Sequence, residues 1–136
     1  MSEKVGDRLA PSLDDFAAMA EAAFASLPEA FRRLTGHVVF RIDDFADDET
    51  LDALEIEDAY DLTGVYQGVD LIRRSVLDPA PEASRIHLYR RPILDEWAAR
   101  GDVTLSELIT HVLVHEIGHH FGLSDEDIDA IEAAAE

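Results

Sequence analysis

The stretch from Thr104 to Gly122 limits what this chain can fold into more than any other. Thr104 followed three residues later by Glu107 is a capping-box start, and Gly122 lets the backbone turn left-handed at a helix end. Between them Leu105, Leu108, Val112, Leu113, Val114 and Ile117 form an apolar stripe too broad for a surface helix. The chain must therefore bury most of this helix and arrange the other elements around it. Yet the same helix carries His111, His115, Glu116, His119 and His120. Imidazoles and a carboxylate are costly to bury unless something satisfies them, so the pattern points to a site.

His115-Glu116-x-x-His119 defines the chemistry that such a site supports. Helix residues four apart differ by about 40° and rise about 6 Å, so the imidazoles of His115 and His119 converge on one point. Glu116 lies on the flank of that face. Two neutral imidazoles with a carboxylate base are what metal-assisted hydrolysis needs, because zinc acidifies a water and the carboxylate removes its proton. Asp125 follows at a third-ligand spacing, and a reversal at Gly122 can bring it back over the histidine face. Asp125 also belongs to Ser124-Asp125-Glu126-Asp127, an N-cap with an acidic first turn for a helix over 128–135, and the two roles are compatible. Other third ligands are weaker: His111 lies about 12 Å from His119 along the axis, and His120 points about 140° away from His115. For a glutamate ligand on a later helix, only Glu132 and Glu136 remain beyond the acidic first turn.

Composition narrows the partners. The 30 acidic against 11 basic residues give a net charge of -19, which repels nucleic-acid phosphates and anionic lipid and attracts cations and basic segments. With no cysteine, a thiolate site and a disulfide framework are both excluded, so a metal must be held by His and carboxylate. Met1 to Arg8 lacks the basic-then-apolar order of a signal peptide, and no apolar run is long enough to span a membrane. The expected compartment is the cytoplasm.

The remaining elements follow from periodicity. Residues 1–11 read as a loose arm and 12–136 as one domain. Ser12 caps a helix over about 13–26 whose face is Leu13, Phe16, Met19, Ala20, Ala23, Phe24 and Leu27, and Pro28 opens a short helix closed near Gly36. His37 to Ile42 reads as a strand, and the acidic run from Asp47 to Asp61 as a solvated, partly helical connection without calcium-loop spacing. Leu62 to Val69 is a short strand leading into a turn, and Asp78-Pro79-Ala80-Pro81 breaks the chain. Ser84 to Arg90 alternates Ile86 and Leu88 with Arg85, His87 and Tyr89, a half-buried strand, and Pro92 opens a helix through Trp97 to Gly101.

Gly64 to Val69, Arg85 to Leu94 and His111 to Asp125, in this order and spacing, resemble the minimal zincins, a family of small bacterial zinc metallopeptidases. The resemblance implies an α+β, zincin-like fold, with a small mixed sheet packed against an N-terminal helix and a C-terminal active-site helix. It also implies zinc ligands at His115, His119 and Asp125, and Glu116 as the base. The expected activity is zinc-dependent hydrolysis of peptide bonds, with a peptide or protein substrate of basic character. An extended peptide is expected to add to the edge of the strand Arg85 to Arg90, where Tyr89 or His87 would either stabilise the oxyanion or serve as a plain cross-strand residue. The rival expectation is a non-catalytic binding or regulatory module that keeps the fold and the metal.

Overall fold

The computed structural model describes residues 9–67 and 84–135. Helix α1 (Leu13–Ala25) starts at a complete capping box: the Asp15 amide donates to the Ser12 hydroxyl at 3.1 Å, and the Ser12 amide donates to the Asp15 carboxylate at 2.8 Å. Pro28 precedes α2 (Glu29–Thr35), which stops at Gly36 with φ +65°. Strand β1 (Val38–Asp43) follows, then α3 (Asp48–Ala53), capped by the Asp47 side chain, and a single 3₁₀ turn at Ala59–Asp61. Strand β2 (Gly64–Gln67) comes next, and β3 (Ser84–Tyr89) leads directly into α4 (Arg90–Arg100), which ends at Gly101 in the left-handed region. The C-terminal pair is α5 (Leu105–His120) and α6 (Asp125–Ala134). Residues 1–8 of the expected arm, Gly68 and Val69 of the expected strand, the Asp78–Pro81 breaker and Glu136 lie outside the described residues.

The sheet order is β1-β3-β2, with β3 parallel to β1 and antiparallel to β2. Period-two alternation decides which helices cover which face. Ile86 and Leu88 of β3, Tyr66 of β2, and Val38, Phe40 and Ile42 of β1 join Phe16, Ala20 and Ala23 of α1 and Leu108, Leu113 and Ile117 of α5 in the main core. The opposite face is smaller: Tyr89 and Val65 pack with Ala46, Leu51 and Leu62. The fold is thus α+β, a small mixed sheet with α1 and α5 packed on one side. Tyr66 and Ser84 lock β2 to β3 from within: the Tyr66 hydroxyl donates to Ser84 Oγ and Ser84 Oγ donates to the Thr35 carbonyl, both at 3.0 Å. Among the described residues no helix is long and apolar enough to cross a membrane.

Two expectations are corrected here. Strand β3 is not an edge: β1 and β2 occupy its two sides, so an extended peptide has no free ladder there. His87 and Tyr89 also point away from α5, because Ile86 and Leu88 take the face that α5 covers. The pair lines instead a cavity of about 430 Å³ with Asp43, Asp47 and Thr50. Burial lowers the His87 pKa and raises that of Tyr89, but neither side chain faces the histidines of α5.

Candidate metal centre

Helix α5 is held at both ends by local chemistry. At its start the Glu107 amide donates to the Thr104 hydroxyl at 3.1 Å, while that hydroxyl donates to the Glu107 carboxylate at 3.1 Å, so half of the expected capping box forms. At its end Gly122 has φ +73°, the Leu123 amide donates to the Gly118 carbonyl at 2.9 Å, and the Gly122 amide donates to the His119 carbonyl at 3.1 Å. These two bonds are a Schellman closure. It reverses the chain within a few residues, and α6 runs back along α5.

Gly118 allows that return path to be close. A Cβ at this position would lie 2.7 Å from Ile128 Cγ1 and 2.9 Å from Ile128 Cδ1, inside any permitted contact. Ile128 is fully buried, and its helix passes directly over the glycine. The acidic side chains of α6 are thereby brought alongside the histidine ladder. Asp125 meets the far end, with His119 Nε2 3.6 Å from Asp125 Oδ1. Glu132, two turns further on, meets the near end: His111 Nδ1 is 2.8 Å from its Oε1, and His115 Nε2 is 3.7 Å from its Oε2.

Asp125 is not the capping residue of α6. Ser124 supplies the capping oxygen, accepting the Asp127 amide at 3.1 Å, and Asp125 is the first helical residue with its carboxylate 91% exposed. The Asp125 side chain is therefore free of the cap. His115 and His119 have ring centroids 5.6 Å apart at 88°, whereas those of His111 and His115 are 3.9 Å apart with the rings tilted by 38°. His120 turns to the sheet and meets the Tyr66 ring edge-on at 4.6 Å.

Burial shifts the proton affinity of two of these groups. His115 is held below the ordinary imidazole pKa, first by burial and then by His111 beside it. Its Nε2 is buried and has no hydrogen-bond partner among the described residues. A neutral imidazole with an unused buried nitrogen is the form that binds a cation, and buried polar atoms seldom go unsatisfied without a reason. The residues present thus fit a transition metal held by imidazole and carboxylate. Glu116 is pushed above the usual glutamate pKa by burial, with His119 acting in the opposite sense. A carboxylate so placed binds a proton more readily than one in water.

The residues that sequence reasoning did not assemble are His111 and Glu132. Ligand atoms of His111, His115 and Glu132 all lie within 4.8 Å of one another, which makes them the one such trio among the described residues. The sequence does contain a signal for it: Asp125 and Glu132 are seven residues apart and share one face of α6. What was missing is the depth of the α5–α6 approach, which depends on Gly118.

No match is found among curated proteins. Residues 35–135 match the family of zincin-like metallopeptidases, a span that runs from just before β1 to the end of α6 and includes the whole histidine ladder. With the mixed sheet, the buried helix bearing His115-Glu116-x-x-His119 and the tight return to α6 in place, this chain belongs to the zincin-like metallopeptidase family.

Proposed function

We propose that the chain hydrolyses peptide bonds, with zinc held by His115, His119 and Asp125 and with Glu116 as the general base. The observation that carries this reading is the 3.6 Å approach of His119 Nε2 to Asp125 Oδ1 across the Gly122 reversal, on the helix whose next turn back presents the unpartnered Nε2 of His115. When bound, zinc supplies Lewis acidity toward the scissile carbonyl and lowers the pKa of a water. Glu116 takes a proton from the attacking water as its oxygen joins the carbonyl carbon. The same carboxyl then returns that proton to the amine nitrogen as the C–N bond breaks. Partial burial of Glu116 suits both halves, since a carboxylate of raised pKa is the stronger base and remains an acid of moderate strength.

The His119 side chain is 58% exposed and that of Asp125 more so, which supports a reacting end open to an extended chain rather than to a small molecule in a deep cleft. The net charge of -19 favours basic segments as substrates. The test is cleavage of a degenerate peptide library by the zinc-loaded protein and by Glu116→Gln. The variant should keep its zinc and lose about 10²-fold or more in kcat/KM, the scale of general-base catalysis. Undiminished cleavage by Glu116→Gln would refute the assignment. A wild-type chain that holds stoichiometric zinc and cleaves nothing would instead be a metal-bearing binding module.

A further inference from the structure

The trio at the near end of the ladder has its own geometry. The His111 ring is held by both Glu132 oxygens, at 2.8 Å and 3.1 Å from Nδ1, and His115 Nε2 stands 3.7 Å from Oε2. Two donors bonded at about 2.0–2.1 Å to a tetrahedral ion are about 3.3–3.4 Å apart. The Oε2 separations of 3.1 Å and 3.7 Å bracket that value, so an ion can enter with side-chain adjustments of a few tenths of an ångström. A cavity of about 330 Å³ opens onto the position, and its lining includes Arg100, Glu107, His111 and Glu132. His111 and Glu132 are only partly buried, with 31% and 25% of their side chains exposed, so an ion can reach them from solvent.

We infer that His111, His115 and Glu132 form a second transition-metal position, one helical turn before the His115/His119 position, with His115 shared between the two. A neutral imidazole has a single nitrogen lone pair to give, so Nε2 of His115 cannot serve both positions at once. The chain therefore holds one ion, which occupies either the near position or the far one. The near position is the better prepared of the two in the present side-chain arrangement, because its three ligand atoms are already mutually close. It draws on the proposed function only through His115, and it stands whether or not the chain cleaves peptides.

The test is cobalt(II) titration of the chelator-stripped protein, followed by visible absorption and by equilibrium dialysis. Wild type should take one equivalent. His119→Ala should still take one equivalent, with binding weakened at least about tenfold further when Glu132→Gln or His111→Gln is added. In zinc-loaded His119→Ala, imidazole nitrogen resonances of both His111 and His115 should shift. Loss of all cobalt from His119→Ala, or identical affinity in His119→Ala and His119→Ala/Glu132→Gln, would overturn the second position. Two equivalents in wild type would overturn the sharing of His115. Should His119→Ala not fold, as judged by far-UV circular dichroism, Asp125→Asn provides the same comparison from an exposed side chain. Failure of the peptidase reading appears only in the cleavage assay of Glu116→Gln, so the two outcomes separate.

Discussion

Gly118→Ala is the perturbation that best separates the role of the helix return from that of the ligands. In an exposed helix interior this change stabilises by about 1 kcal/mol, since alanine loses less backbone entropy than glycine. Here the new methyl would lie 2.7 Å from Ile128 Cγ1 and 2.9 Å from Cδ1. Cγ1 is held next to the α6 backbone, and isoleucine in a helix has one strongly preferred χ1, so the side chain cannot swing away freely. Overpacking of this kind costs about 1–3 kcal/mol. The net expectation is destabilisation by about 1 kcal/mol, or roughly 3–4 °C in Tm for a chain of this size. Ile128→Ala alone should cost about 2–5 kcal/mol, as the fully buried side chain leaves a cavity. In that background both clashing atoms are gone, and Gly118→Ala should stabilise by about 1 kcal/mol. The assay is urea unfolding of the four proteins, followed by far-UV circular dichroism with the m-values compared. Equal destabilisation by Gly118→Ala in both backgrounds would refute the argument that Ile128 dictates glycine at this position.

Two further outcomes follow from contacts outside the ladder. Trp97 donates its indole Nε1–H to the Val103 carbonyl at 2.8 Å and so pins the link between α4 and α5; Trp97→Phe should lower unfolding free energy by about 1–2 kcal/mol through the lost hydrogen bond alone. No change in the denaturation midpoint would show that bond to be idle. His87 is held below its ordinary value of 6.5, chiefly by burial, with Arg41 and Arg85 acting in the same sense and Asp43 and Asp47 opposing. Its unfolded form thus gains a proton first as pH falls, so wild type should lose stability relative to His87→Gln below about pH 6.5. Tm curves that run parallel from pH 7 to 5 for the two proteins would contradict this sign.

Much of the architecture was legible because it follows from local pattern. The capped apolar helix α5, the period-two strand with Ile86 and Leu88 inward, and the stops at Gly36, Gly101 and Gly122 are short-range consequences of side-chain spacing and backbone freedom. The convergence of His115 and His119 also follows from helical geometry alone. The place of β3 did not follow. An alternating strand has the same sequence at an edge or in the middle, and only pairing with β1 and β2 made it central, which removed the expected peptide edge and turned His87 and Tyr89 from the site. Asp125 was ambiguous for a similar reason: a carboxylate beside Ser124 can cap the helix or leave the task to serine, and the hydrogen bond from Asp127 to Ser124 decides it. The sequence by itself determined the imidazoles, their ladder and the reversal that follows it. Tertiary structure alone decided which carboxylate meets which imidazole, because that depends on how closely α6 can lie on α5. That distance is set by the missing side chain of Gly118 beneath Ile128.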